Sequence, residues 1–245
     1  MERKMNEKLK AALKASIKSA TVTLSDGKKV SIRPIMAAEY RLMVEETEKG
    51  LNTNDLMISI IKRCITSGNL DVDKLPIHDF ERIYFEIYKL GRSNSMITIP
   101  FVCRNEIDSV ECGSDIEITA NLNMAMVSSE PERMVQLTDR ISVQMRYPTV
   151  IESELFNIEK YSDLYDLAWR LVEAVIIDGQ TMKVGLDVKP EDLTDLTEYL
   201  DQDAITKLLR FAAEIPTITL DVPVKCPKCG HYEPYRLSGI TDICL

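Results

Sequence analysis

Apolar and polar residues alternate first in Thr21-Val22-Thr23-Leu24 and again in Lys29-Val30-Ser31-Ile32. The segment between them, Ser25-Asp26-Gly27-Lys28, has tight-turn chemistry, so the pair predicts a β-hairpin. Beyond Pro34 the period lengthens to that of a helix, with Tyr40, Met43 and Val44 on one side and Gly50 as its end. A second helix, capped by Thr53 or Asn54, carries the stripe Leu56, Ile60, Ile61 and Cys64 and breaks at Ser67-Gly68-Asn69. On that stripe Cys64 reads as a small buried hydrophobe. A third helix runs through Phe80, Ile83, Tyr84, Ile87 and Tyr88 to Gly91, with Asp79 as its candidate cap. His78, at its entry, has no second ligand near it in sequence and reads as a turn residue.

The middle of the chain is strand-like. Met96 to Cys103, interrupted by Pro100, and the return Asp115 to Thr119 form a hairpin with Cys103 and Cys112 at its tip. Residues 120–140 are weakly patterned, with Glu130-Pro131-Glu132 as the start of a short helix. The run Ile141 to Pro148 alternates as a half-buried strand. The second half repeats the general order of helices followed by a ribbon. Leu155 to Val175 reads as the longest helix, its apolar face made by Leu164, Leu167, Ala168, Leu171, Val172 and Val175, and it holds Trp169. Ile176 to Val184 is a strand and turn. Pro190 suits a first helical turn, followed by Glu191 and Asp192 at the positive helix end, and Ala204 to Glu214 continues as helix until Ile215-Pro216. Thr217 to Val224 and Tyr232 to Ile240 make a second hairpin, tipped by Cys226 and Cys229. The expected fold class is α+β: helical sections packed with short antiparallel hairpins, the two cysteine-tipped hairpins (96–119 and 216–240) forming a zinc-ribbon-like unit. With no clear linker in sequence, a single domain over 21–245 is expected, preceded by a basic helical arm over 1–20.

Charge changes the picture at the N-terminus. The net charge is −9, yet residues 1–20 hold six basic and two acidic side chains, so the remainder carries −13. Such an acidic body argues against broad nucleic-acid binding, which needs many phosphate-neutralising cations. Within the arm, Leu9, Ala12, Leu13 and Ile17 lie near helical spacing among Lys8, Lys10, Lys14 and Lys18. It reads either as a solvated terminal helix or as a docking arm for an acidic partner surface. No apolar run approaches the roughly 18–20 residues of a membrane span, and the lysine-rich start is not a signal segment. A cytosolic location, with its six cysteines as thiols or metal ligands, is the expectation.

The cysteines carry the one chemical motif. Cys226-Pro227-Lys228-Cys229-Gly230 has the residues of a zinc knuckle, whose tight turn aims backbone N–H groups at sulfur. Cys112-Gly113 resembles the closing half of another knuckle, but eight residues separate Cys103 from Cys112. The candidate metal ligands are therefore Cys103, Cys112, Cys226 and Cys229, holding a structural Zn2+, with His231 in reserve for Cys103. A ribbon that has lost its metal remains open at this point. A redox role for the C-x-x-C lacks the strand-to-helix context it needs. Two histidines, no Ser/His/Asp-like set and no phosphate-binding glycine motif leave no catalytic constellation, so an enzyme is not expected.

Taken in order, several stretches resemble the baseplate hub assembly proteins of T-even-type contractile-tailed phages. They are Ile32-Arg33-Pro34 with Glu39-Tyr40-Arg41, Ile99 to Cys103, Ile141 to Pro148, and Ile218-Thr219-Leu220 leading into Cys226-Pro227-Lys228-Cys229. The resemblance spans about residues 21–240; it departs at the first cysteine pair, where the family pattern is a compact C-x-x-C. It implies a non-enzymatic viral protein of the tail baseplate. Such a protein binds other hub or tail proteins, the tape-measure protein among the candidates, with no membrane, specific nucleic acid or small-molecule substrate. It is expected in the host cytoplasm during assembly and possible in the virion. The competing class is a zinc-ribbon nucleic-acid-binding or transcription-associated protein, which would need a basic face near the ribbon.

Overall fold

A computed structural model of the chain describes residues 7–50, 53–68, 70–152 and 161–244. The first stretch holds α1 (Glu7–Ala15), β1 (Ala20–Thr23), β2 (Lys29–Ile32) and α2 (Ala37–Glu48). Then come α3 (Thr53–Cys64), β3 (Ile65–Ser67), α4 (Ile77–Gly91), β4 (Met96–Val102), β5 (Glu106–Ile107) and β6 (Val110–Glu111). Next are β7 (Asp115–Asn121), β8 (Met126–Val127), β9 (Met134–Gln136), β10 (Ile141–Met145), α5 (Tyr161–Arg170), β11 (Val172–Ile177) and β12 (Gln180–Lys183). The chain closes with α6 (Pro190–Asp195), α7 (Gln202–Ala213), β13 (Ile218–Lys225), β14 (Tyr232–Ser238) and α8 (Gly239–Cys244). The observed class is mixed α and β with short antiparallel sheets.

The chain divides into two compact units. The first comprises Met1–Val72, Asp79–Val127 and Ile218–Leu245; the second comprises Asp73–His78 and Ser128–Thr217. Both are discontinuous in sequence, which is why no single linker could be read.

In the first unit, alternation buries Val22, Leu24, Val30 and Ile32 on one face of the β1–β2 hairpin, and β3 extends this sheet alongside β2. Ile60, Ile61 and Cys64 of α3 and Phe80, Ile83 and Ile87 of α4 are buried as their helical spacing requires. Burial pushes the Cys64 thiol up to about 11, consistent with an inert core thiol. Asp79 is not a cap. It sits inside α4, and its carboxylate accepts the Ser25 N–H at 2.9 Å and the Ser25 hydroxyl at 2.6 Å, pinning the β1–β2 turn. After β2 the Arg33 guanidinium pairs with the Glu39 carboxylate through two bonds of 3.0 Å. Glu39, only 4% exposed, also accepts the Met36 N–H at 3.1 Å, closing the start of α2. None of α1 is buried.

The second unit is a four-stranded sheet, β12-β11-β10-β9, whose apolar face packs with Leu167, Ala168 and Trp169 of α5 and Leu208, Phe211 and Ala212 of α7. Two expectations fail here. The long helix stops at Arg170, and Leu171, Val172 and Val175 belong to the turn and strand that follow; Leu155 lies outside the described residues. A stretch so rich in apolar and β-branched residues satisfies either period, and pairing with both β10 and β12 decides for strand. Glu130-Pro131-Glu132 forms no helix and precedes the edge strand β9. In the first unit, the expected strand through Ile240 ends at Ser238 and turns into α8. Pro190 opens α6 as expected, with Glu191 and Asp192 behind it, whereas Pro100 does not interrupt β4, which runs through it in register with β7.

Arg146, directly after β10, binds Glu152 through bonds of 2.8 and 2.7 Å, and the Glu152 carboxylate also accepts Thr149 N–H and Oγ. Hydrogen bonds from Arg146 lead in holding Glu152 down to about 2. Its folded-state value is thus below the ordinary one of about 4.3. The stability it contributes is fully present above about pH 5 and is lost as pH falls toward 2. Urea midpoints measured from pH 6 to pH 2.5 should fall less steeply in Glu152→Gln than in the parent chain.

Candidate metal centre

Both cysteine hairpins lie in the first unit. In β4–β7, Ile97 pairs with Ala120 and Val102 with Asp115, which leaves Cys103 just beyond the strand end. In β13–β14, Leu220 pairs with Leu237 and Lys225 with Tyr232, which leaves Cys226 in the same place. Alternation along β13 buries Ile218, Leu220, Val222 and Val224 and carries the next buried position to Cys226.

At the tips the four sulfurs gather. Cys103 Sγ lies 3.7 Å from Cys229 Sγ, and Cys112 Sγ lies 3.8 Å from Cys226 Sγ. All four are within 4.8 Å of one another, and Cys103, Cys112 and Cys226 are buried. A disulfide requires about 2.05 Å between sulfurs. A tetrahedral zinc with Zn–S bonds of about 2.3 Å places its sulfurs about 3.8 Å apart. The spacing here fits metal ligands and not disulfides.

The backbone completes the picture. N–H groups of Lys228 and Cys229 are directed at Cys226, that of Asn105 at Cys103, and that of Ser114 at Cys112. Gly230 N–H donates to the Cys226 carbonyl at 2.9 Å, and Gly113 N–H to the Cys103 carbonyl at 3.0 Å. Both glycines have positive φ, 73° and 60°, which favours glycine directly after each second cysteine. Lys228 Nζ ties the two tips together by donating to the Cys112 carbonyl at 2.9 Å.

The thiols of Cys103, Cys112 and Cys226 are shifted in different directions. Cys226 is lowered to about 6, led by the Cys229 N–H. Burial leads in raising Cys112. At Cys103 the Asn105 N–H lowers the thiol, but burial and hydrogen bonds to the other sulfurs outweigh it and push it up to about 12. One thiolate forms readily; several more so close together need a cation among them.

Of the residues singled out in sequence, all four cysteines converge. His231 does not join them: Cys103 is within reach, and the His231 ring instead lies 3.6 Å from the Glu233 carboxylate. His78 is buried, not exposed in a turn, with its ring edge-on to Tyr147 at 4.8 Å. The aromatic ribbon that could stack on nucleic acid is partly used internally. Tyr235 packs edge-on against Phe101 at 5.3 Å, and Arg236 is paired with Asp221 at 2.6 and 2.9 Å. Sequence reasoning overlooked the Arg33–Glu39 and Arg146–Glu152 pairs, whose signal was an arginine just after a strand and a glutamate six residues on.

The described residues thus combine a mixed α and β fold with one group of four cysteines that could hold a metal ion, and no other such group among them. The chain belongs to the family described as T4 bacteriophage base plate protein, whose model matches residues 16–244. It is similar to the baseplate hub assembly protein gp26 of Enterobacteria phage T4, with 23% identity over 212 residues, covering 83% of this chain and 97% of that protein. No solved structure matches it.

Proposed function

We propose that this protein acts without bond-making chemistry in assembly of the phage baseplate hub, by binding other hub or tail proteins. The family match over nearly the whole chain carries this reading. The proposed setting is the host cytoplasm during assembly and the tail baseplate afterwards, and the tape-measure protein is among the candidate partners. In the same reading Cys103, Cys112, Cys226 and Cys229 hold one structural zinc, making the pair of hairpins a split zinc ribbon; sulfur spacing and inward N–H groups support it. Bound zinc would supply the positive charge that keeps the four thiolates together. The internal use of Tyr235 and Arg236 weighs against the nucleic-acid alternative.

The finer proposal concerns the basic arm, taken as 1–20. Lys10, Lys14 and Lys18 rim a groove of about 530 Å3, with Leu13, Ile17 and Met36 among its apolar lining. A nine-residue helix with no buried side chain is marginal in water by itself, and it gains stability by docking. Cations around an apolar floor fit an acidic amphipathic segment of a partner protein. The test is co-expression with the neighbouring hub and tail proteins of the same phage. The parent chain is expected to co-purify with at least one, and the triple variant Lys10→Glu/Lys14→Glu/Lys18→Glu to lose it at unchanged melting temperature. Binding to none of them in the parent chain, with steeply salt-dependent DNA binding instead, would overturn the assembly reading.

A further inference from the structure

The two hairpins that open the units share more than an order of elements. Val22, Leu24, Asp26, Val30, Arg33 and Glu39 recur as Val135, Leu137, Asp139, Val143, Arg146 and Glu152, each 113 positions on and without a gap. The structure repeats at the same interval. Val22 pairs with Val30 as Val135 pairs with Val143, and the turn bond Leu24 N to Lys28 O recurs as Leu137 N to Ile141 O. A bulge interrupts β2 between Ser31 and Ile32 where it meets β3, and β10 between Gln144 and Met145 where it meets β11. Arg33 N bonds the Cys64 carbonyl and its guanidinium the Arg63 carbonyl; Arg146 does the same with Leu171 and Arg170, which lie 107 positions on from Cys64 and Arg63. Glu39 accepts the Met36 N–H as Glu152 accepts that of Thr149.

The cysteine hairpins continue the correspondence. Ile97, Pro100 and Cys103 match Leu220, Pro223 and Cys226, each 123 positions on. Cys103 N bonds the Ser114 carbonyl as Cys226 N bonds that of His231, and the following glycine closes onto the first cysteine in both. The one difference is Glu106–Glu111. These six residues form their own hairpin, β5–β6, turning at Asp108 and Ser109, and all six are exposed. Beneath it Cys112 N bonds the Asn105 carbonyl at 2.8 Å, so the segment leaves and rejoins the chain at one point. Without it the sequence reads Cys103-Arg104-Asn105-Cys112-Gly113, the spacing of Cys226-Pro227-Lys228-Cys229-Gly230.

We infer that the chain is a tandem duplication of one hairpin–helix–knuckle unit. Each repeat gives one C-x-x-C-G knuckle to a single tetrathiolate zinc site, and residues 106–111 are a graft on the first knuckle that takes no part in holding metal. The inference rests on the zinc reading above. A bulge, a backbone bond and an arginine–glutamate pair at one constant interval do not follow from metal binding, so the duplication has support of its own. The graft adds two exposed apolar side chains, Ile107 and Val110.

The test deletes residues 106–111, joining Asn105 to Cys112, in the full chain. Metal content and the absorption spectrum of the cobalt-substituted protein are compared with those of the parent chain and of Cys112→Ser. The deletion variant is expected to keep one zinc per chain and the parent's four-sulfur cobalt spectrum, while Cys112→Ser changes both. A parent chain that holds one zinc beside a deletion variant that loses it would overturn the graft and leave the zinc reading standing. A parent chain that binds neither zinc nor cobalt would overturn both. Should the deletion variant fail to fold, replacing the six residues by a Gly-Ser segment of equal length decides the matter: zinc retained supports the graft, zinc lost overturns it.

Discussion

Cys226→Ser is expected to lower the melting temperature by roughly 10 °C or more and to release the metal. A structural zinc site is absent from the unfolded chain, so its binding free energy is folding free energy. Cys226 is the most buried of the four cysteines and receives two backbone N–H groups, and serine would supply a poorer, harder ligand in its place. The effect should concentrate on the two hairpins, whose tips are otherwise joined by Lys228 to the Cys112 carbonyl and by few other polar bonds. Hydrogen exchange should show β13 and β14 losing protection first. The zinc chelator o-phenanthroline applied to the parent chain should reproduce the pattern, and a variant as stable as the parent would point to hairpins that pack without metal.

The second large effect is expected from Arg33→Met. Glu39 is almost fully buried and its carboxyl is held below the usual carboxylate range, led by the hydrogen bond from Arg33. Removing the guanidinium strands that charge, and breaking a buried pair from one side typically costs about 3–5 kcal/mol. The Arg33 side chain is 21% exposed, so the lower end, about 3 kcal/mol, is expected, a shift of roughly 6–12 °C. The double variant Arg33→Met/Glu39→Met should recover much of the loss, since paired removal leaves no buried charge. Arg146→Met should repeat the effect more weakly, because its pair with Glu152 is more exposed. Equal melting temperatures for the parent chain and Arg33→Met would show that the pair contributes nothing.

Much of this was open to reading from sequence, for definite reasons. The β1–β2 hairpin, α3, α4 and α7 follow from clean periods with turn residues at their ends, and the convergence of four cysteines follows from knuckle residues at two hairpin tips. Leu171 to Val175 misled because a wholly apolar, β-branched run does not distinguish helix from a strand with neighbours on both edges. Asp79 looked like a cap because caps are local, whereas its partner Ser25 is 54 residues away. The spacing of Cys103 and Cys112 seemed too long for a knuckle, since only the bond from Cys112 N to Asn105 O shows where the extra hairpin begins and ends. The 113-residue repeat was present in the letters throughout. With six identities over the stretch from Val22 to Glu39, it becomes plain only when bulge and hydrogen bonds fall at the same interval.

Charge logic links these parts to function. The acidic body and the basic arm give the chain charged surfaces of both signs for protein contact. In this account the metal holds the tips of the two cysteine hairpins together. Native mass spectrometry of the full chain, purified without chelator, tests that most directly. The account predicts one zinc per chain, lost in Cys226→Ser and in Cys112→Ser alike; a parent chain carrying no metal, even after incubation with zinc under reducing conditions, would contradict it.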